Sequence, residues 1–263
     1  MTATGRAPKQ RAGRQTTAQA IVLRRRDFRE TSRIVTFITR EHGKITGLAK
    51  GAHRPDSPLL GRIDFLNEVT ASFSADRGGL RILASAKLTR ERRALRTPKR
   101  FLAAGHIAWL VDVASMEGTP APELFDLLFG GLNLLERCPL ATIPQVVLGL
   151  ELRHLEAVGG LPDFESCAEC SVALTDQAFR QEDTMGLACR QHAGLPRHPV
   201  LGSALQLLRT LRATSGRDWP SLEVGAETRS AANLTALWLA AAVEQRAPYR
   251  HMIFAANSAT GQT

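Results

Sequence analysis

The feature that most constrains this chain is a change of hydrophobic period near Thr97. Upstream, five short runs rich in β-branched and aromatic residues follow one another: "AIVLRRR", "SRIVTFITRE", "GKITGLAKG", "IDFLNEVTASFSA" and "GLRILASAKL". Turn-forming segments, "DFRET", "EHG", "HRPDSPLLG" and "DRGG", separate them. With no helical period between them, they predict a small barrel or sandwich, and five is the strand count of an OB-fold.

Downstream the apolar residues recur at spacings of three and four. "PKRFLAAGHIAWLVDVASM" puts Phe101, Ile107, Leu110 and Val111 on one face, starting just after Pro98. "APELFDLLFGGLNLLERC" opens with Pro122 and Glu123, and "TIPQVVLGLELRHLEAVG" stops at Gly159-Gly160 and Pro162. "VLGSALQLLRTLRAT" and "AETRSAANLTALWLAAAVEQR" read as two further helices. The expected fold is therefore α+β, a five-stranded OB-fold β-barrel followed by an all-α helical domain. The 263 residues accommodate both units. The expected boundaries are a disordered basic tail over 1–18, the barrel over 19–96 and the helical domain over 97–263. No window approaches the roughly 18 to 20 apolar residues of a membrane span. The basic N-terminus has no apolar stretch behind it, so a cytoplasmic, nucleoid-associated protein with no membrane partner is expected.

One segment of the helical half, about 163–198, concentrates three of the four cysteines. Its spacing is C-x2-C, eighteen residues, then C-x2-H. Two such knuckles converge on one tetrahedral ion through Cys167, Cys170, Cys189 and His192. Three thiolates and an imidazole suit Zn²⁺, and four protein ligands leave no position for a reacting water, so the expected zinc is structural. His198 is the alternative fourth ligand, restrained by Pro196 and Pro199, and Cys138 reads as a packing residue.

Charge is segregated. Residues 1–100 carry 23 Lys+Arg against 8 Asp+Glu, a net +15, whereas 101–263 carry 11 against 17, a net −6. Such asymmetry points to a polyanion, most commonly nucleic acid. Arg24, Arg25 and Arg26 cluster at the exit of the first strand, and Arg33, Lys50, Arg54 and Arg62 follow. Arg92 and Arg93 belong to a second cluster, "KLTRERRALRTPKR", and Phe28 is the aromatic placed to stack on a base. Binding is expected to be dominated by phosphates and therefore salt-sensitive. No phosphate-binding loop, dinucleotide fingerprint or nucleophile elbow is present. His42, His53, His106, His154 and His251 are scattered, and Glu151 with His154 in "ELRHLE" reads as an ordinary helix face. The expectation is a binding protein with no catalytic residues and no small-molecule substrate.

At this point the residues resemble the RecO family of bacterial DNA repair proteins. The resemblance lies in "AIVLRRRDFRETSRIVTFITREHGKITGLAKGAHRPDS", "LGRIDFLNEVTASFS" and "LRILASAKL", with a faint echo in the closing "RAPYRHMIFAAN". It implies an OB-fold followed by a helical domain and, in many members, a zinc site. His192 stands where the family commonly has a fourth cysteine. The resemblance further implies a recombination mediator that binds single- and double-stranded DNA and promotes strand annealing. It implies work with RecR and with the single-stranded-DNA-binding protein in loading RecA, and it singles out Arg33, Lys50 and Arg54 as DNA contacts. Arg209 and Arg212 are candidates for meeting the acidic tail of the single-stranded-DNA-binding protein. The alternatives are an RNA-binding OB and zinc module, and a zinc hydrolase or nuclease, which would require an open metal position.

Overall fold

The computed structural model describes residues 15–74, 80–181 and 185–255. Most of the expected basic tail, residues 1–14, lies outside them. The chain forms two compact units, one built from residues up to Glu91 together with Glu117–Pro120, the other from Arg92–Met116 and from Ala121 onward.

The first unit is a closed barrel of β1 (Thr16–Phe28), β2 (Ser32–Thr39), β3 (Gly43–Ala49), β4 (Glu68–Phe73) and β5 (Arg81–Arg90). The strand order is β1-β2-β3-β5-β4, an OB-like arrangement. β1 starts at Thr16, so three residues expected in the tail are strand, and Thr16–Ile21 pair with β4. Alternating side chains fill the interior with Val22, Val35, Phe37, Ile45, Val69, Phe73 and Leu83. Phe37 and Phe73 meet edge to face with centroids 5.4 Å apart, a pairing worth about 0.5–1.5 kcal/mol beyond its area. Gly47 is the residue at which β3 first pairs with β5, in parallel. A Cβ there would sit 3.3 Å from the Phe73 ring, so the absent side chain lets the seam close.

That seam is short, because β3 and β5 pair only at Gly47↔Arg81 and Leu48↔Ile82. Residues 117–120 cover its open part. Glu117 accepts hydrogen bonds from the Thr46 N–H (2.6 Å) and the Thr46 hydroxyl (3.0 Å), and the Gly118 N–H donates to the Lys44 carbonyl (2.8 Å). The Thr119 carbonyl lies so close to Gly43, at φ +62°, that a Cβ would fall 1.7 Å from its oxygen.

In the second unit, Arg93–Arg96 form a 3-10 turn that leads into α1 (Pro98–Ala114). α2 (Pro122–Arg137), α3 (Ile143–Ala157), α4 (Gly202–Ala213), α5 (Glu227–Val243) and the short α6 (Arg250–Ile253) follow. Pro98 and Pro122 stand in the first turns of α1 and α2, where a missing N–H costs nothing. Gly159, at φ +69°, ends α3. α3 is buried almost all round and is the core of the unit. Its Gly149 faces Trp219 so closely that a Cβ would lie 2.6 Å from the indole. Phe101, expected on the buried face of α1, is 47% exposed; the face that packs carries Ala103, Ala104, Ile107, Leu110 and Val111. Between α3 and α4 the unit contains a three-stranded sheet of order β7-β6-β8, from β6 (Gln177–Arg180), β7 (Leu187–Ala188) and β8 (His198–Leu201). Periodicity could not reveal strands of two to four residues. Among the described residues no helix is long and apolar enough to cross a membrane.

Candidate nucleic-acid interface and metal centre

β1 is thirteen residues long because it serves two neighbours in turn. A β-bulge between Val22 and Arg24 ends its role in the barrel wall, and Arg24–Phe28 continue against β2 alone. The arginine run thus lies on the β1–β2 hairpin, a ribbon whose β2 strand also pairs with β3 from Arg33 to Thr39. Pairing splits the run: Arg24 and Arg26 lie opposite Thr36 and Ile34, whereas Arg25 and Asp27 share the other face with Val35 and Arg33. Three consecutive arginines therefore cannot all meet one strand of nucleic acid. Arg25 is further committed to an ion pair with Asp64.

The ribbon tip is joined to the loop after β3. The His53 N–H donates to the Thr31 carbonyl (3.0 Å), and the His53 ring and Arg33 both reach Asp27. Lys50 and Arg54 are exposed on this loop, with the Arg54 side chain folded back over Gly51 at φ +66°. Arg33, Lys50 and Arg54, separate in sequence, are thus gathered at one end of the barrel. Arg33 has a side chain only 17% exposed and pins the ribbon, while Lys50 and Arg54 face solvent. Arg62 is exposed as well and donates to the Ala86 carbonyl (3.2 Å).

One expected contact is buried away from the barrel. Arg92 belongs to the helical unit and is buried, donating to Glu136 (3.0 Å) and Asn133 (3.1 Å) on α2. A guanidinium enclosed by its own carboxylate is a structural ion pair and cannot meet a phosphate. Phe28 is half-buried at the end of β1, with the Arg29 guanidinium 5.3 Å from its ring centroid. Arg93 is exposed on the 3-10 turn of the helical unit. β2 has inward Val35 and Phe37 and outward Ile34, Thr36 and Ile38 all buried. The strand 2–3 face that OB-folds use for oligonucleotides is therefore not free on this strand.

In the helical unit, Cys167, Cys170, Cys189 and His192 come together, their ligand atoms all within 4.8 Å of one another. Cys170 Sγ to Cys189 Sγ is 3.9 Å, Cys167 Sγ to His192 Nδ1 is 3.9 Å and Cys189 Sγ to His192 Nδ1 is 3.3 Å. A tetrahedron with Zn–S and Zn–N bonds of ordinary length has edges of about 3.5–3.8 Å, so the donors fit such an ion. Local turns hold them: the Ser171 N–H donates to the Cys167 carbonyl with Ser171 at φ +57°, and the His192 N–H to the Cys189 carbonyl. Burial would raise the Cys167 thiol, but backbone hydrogen bonds involving Cys189, Cys170 and Glu169 outweigh it and lower the thiol to about 6. A hydrogen bond from His192, outweighing desolvation, lowers Cys189 as well. Both changes favour thiolates, the form that binds metal. His198 stands apart on β8.

Arg209 and Arg212 brace this segment rather than face solvent freely. Arg209 pairs with Glu165 (2.6 Å) and donates to the carbonyls of Phe164 and Leu174, and Arg212 pairs with Glu156 (2.9 Å). Sequence reading also missed the role of Glu151 and His154, both fully buried in α3. An ionisable pair in so apolar a helix was the available signal.

An OB-like barrel with a basic ribbon and a helical unit with a four-donor Cys/His cluster define a two-module protein of a nucleic-acid-handling type. Comparison with known proteins gives the particular family. Residues 14–92 match the family described as recombination protein O N terminal, and residues 95–248 match recombination protein O C terminal. A DNA repair protein RecO of Rhodopirellula baltica is 31% identical over 217 residues, covering 80% of this chain and 78% of its own. One from Desulfitobacterium hafniense is 30% identical over 217 residues, covering 74% and 72%. That of Bacillus subtilis is 32% identical over 160 residues, covering 59% and 60%. The chain belongs to the RecO family of DNA repair proteins.

Proposed function

We propose that this protein is a recombination mediator that binds single- and double-stranded DNA through phosphate contacts and promotes strand annealing without bond chemistry. The observation that carries the reading is the gathering of Arg33, Lys50 and Arg54 by the His53–Thr31 hydrogen bond, beside a ribbon that adds Arg24 and Arg26. Cationic side chains that neutralise phosphates on both strands lower the repulsion opposing pairing. Arg62 and Arg93 extend the basic surface of their own units.

The partners expected of such a mediator are RecR and the single-stranded-DNA-binding protein, onto whose coated DNA it would help load RecA, and its place of work is the cytoplasm, on the nucleoid. A groove of about 640 Å³ in the helical unit has an apolar floor that includes Leu134, Leu150 and Trp219 and a rim bearing Arg137 and Arg217. Its charge and apolarity suit the acidic tail of the single-stranded-DNA-binding protein. The Cys/His cluster would hold a structural Zn²⁺ through Cys167, Cys170, Cys189 and His192, tying down the segment between α3 and α4. The protein would then have no catalytic residue.

The test is a salt titration of fluorescent single-stranded DNA, with annealing of complementary strands followed in the same samples. Tight binding that weakens steeply with salt, with accelerated annealing, supports the reading. No binding at low salt overturns it, and preference for RNA over DNA of the same sequence would replace it with an RNA-binding role.

A further inference from the structure

We propose that Cys170 and Cys189 form an oxidation site, at which a hydroperoxide joins the two sulfurs in a disulfide and so removes two of the four metal ligands. The inference rests on the reading of the Cys/His cluster as a zinc site and adds a chemistry to it.

The four cysteines of the chain all lie in the helical unit, but they differ in access. Cys138 and Cys167 are buried, at 3% and 1% exposure, whereas Cys170 is exposed and Cys189 half-buried. Every residue of 168–173 is exposed, so a small oxidant reaches Cys170 from solvent. The two accessible sulfurs are also neighbours. They come from different knuckles, 19 residues apart in sequence, yet stand 3.9 Å from one another. A disulfide has its sulfurs about 2.05 Å apart, so a closure of about 2 Å joins them.

Metal ligation keeps cysteines as thiolates, the nucleophilic form. Three thiolates and a neutral imidazole around a dication leave the site with one net negative charge, so its sulfurs stay electron-rich. The Cys170 sulfur attacks one oxygen of the peroxide and the O–O bond breaks. Sulfur keeps that oxygen as a sulfenic acid, and the other leaves as hydroxide or alkoxide. The Cys189 sulfur then attacks Cys170 Sγ, forming the S–S bond while the S–O bond breaks and hydroxide leaves. The two sulfurs give up two electrons, the peroxide accepts them, and solvent protonates both leaving groups. Cys167 and His192 are then the only protein ligands left, too few for a closed tetrahedral site. The barrel carries no cysteine, so the basic ribbon keeps its charge while the segment between α3 and α4 loses its tie.

The test treats the full-length, zinc-loaded protein with stoichiometric hydrogen peroxide beside a chromogenic zinc chelator, and then maps the unreduced peptides by mass. Wild type should release about one zinc ion per chain, with Cys170 and Cys189 joined in one cross-linked peptide pair. A dithiol reductant with added zinc should restore the loaded form. Cys138→Ser should behave as wild type. Cys170→His keeps four donors, two thiolates and two imidazoles, a set that also suits Zn²⁺. It should release its metal at least about tenfold more slowly, having lost the accessible thiolate. Loaded wild type that keeps its zinc under peroxide, or whose cross-link contains Cys167 in place of Cys170, overturns the inference and leaves the zinc reading standing. A chain that takes up no zinc overturns the zinc reading and the inference with it.

Discussion

Arg250 and Glu151, 99 residues apart in sequence, meet in a two-pronged ion pair, Nε to Oε1 and Nη2 to Oε2 each at 2.6 Å. The same carboxylate accepts hydrogen bonds from the His106 ring (2.6 Å) and the Thr235 hydroxyl (3.0 Å), so one buried group ties together α1, α3, α5 and α6. Burial alone would push the carboxyl up, but the Arg250 charge and the His106 hydrogen bond hold it at about 2.

Removing one partner should cost far more than removing both. Arg250→Ala leaves a charged carboxylate in an apolar core, and a loss of about 3–5 kcal/mol is expected. Arg250→Met combined with Glu151→Met should recover much of it. Urea unfolding of the two variants beside wild type checks this, and a single mutant within about 1 kcal/mol of wild type would show that the pair does not hold the helices.

His154 should make the helical unit sensitive to mild acid. Both its ring nitrogens are buried without hydrogen-bond partners, and burial, with the His106 charge adding to it, lowers the ring from 6.5 to about 4. The unfolded chain therefore binds the extra proton first, and stability falls as pH drops from about 6.5 to about 4, by up to about 3 kcal/mol. Glu151, held down from 4.5 to about 2, extends the loss below pH 4.5 with the same sign. His154→Leu should flatten the upper part of the curve in thermal melts taken across pH.

Stripping metal with a chelator, or substituting Cys170→Ala, should loosen the segment between α3 and α4 and lower the melting temperature of the helical unit. Much of the DNA affinity of the basic ribbon should persist. Equal loss of stability and affinity would place the Cys/His segment on the DNA surface. Zinc content by atomic absorption, near one ion per chain before treatment, establishes that the cluster is loaded.

Two arginines of similar appearance in the sequence should behave in opposite ways. Arg54→Ala should weaken single-stranded DNA binding and reduce the salt slope by up to about 0.7 with the melting temperature unchanged. Arg92→Ala should unfold more readily, because it strands Glu136 in a site where the guanidinium side chain is only 1% exposed, and should bind DNA as wild type does once folded.

The architecture was legible because period is a property of single elements. Runs rich in β-branched and aromatic residues, bounded by turn segments, marked the five strands, and Pro98, Pro122 and Gly159 marked helix ends. The metal cluster was legible because knuckle ligands are close in sequence. Burial of individual charges was not, since it depends on partners far away: nothing near Arg92 announces Glu136, and nothing near Glu151 announces Arg250. The split of Arg24, Arg25 and Arg26 onto two faces was hidden for a related reason. A run of like residues has no period, so only strand pairing reveals where each one points.

The four residues Glu117–Pro120, which close the barrel seam at Thr46 and Gly43, come from the connection between α1 and α2. The barrel is therefore not a contiguous stretch of the gene. A fragment ending at Glu91 would translate all five strands yet lack the carboxylate that satisfies the Thr46 N–H. Synthesis on the ribosome meets the same condition, because the barrel cannot take its final form until α1 has also emerged.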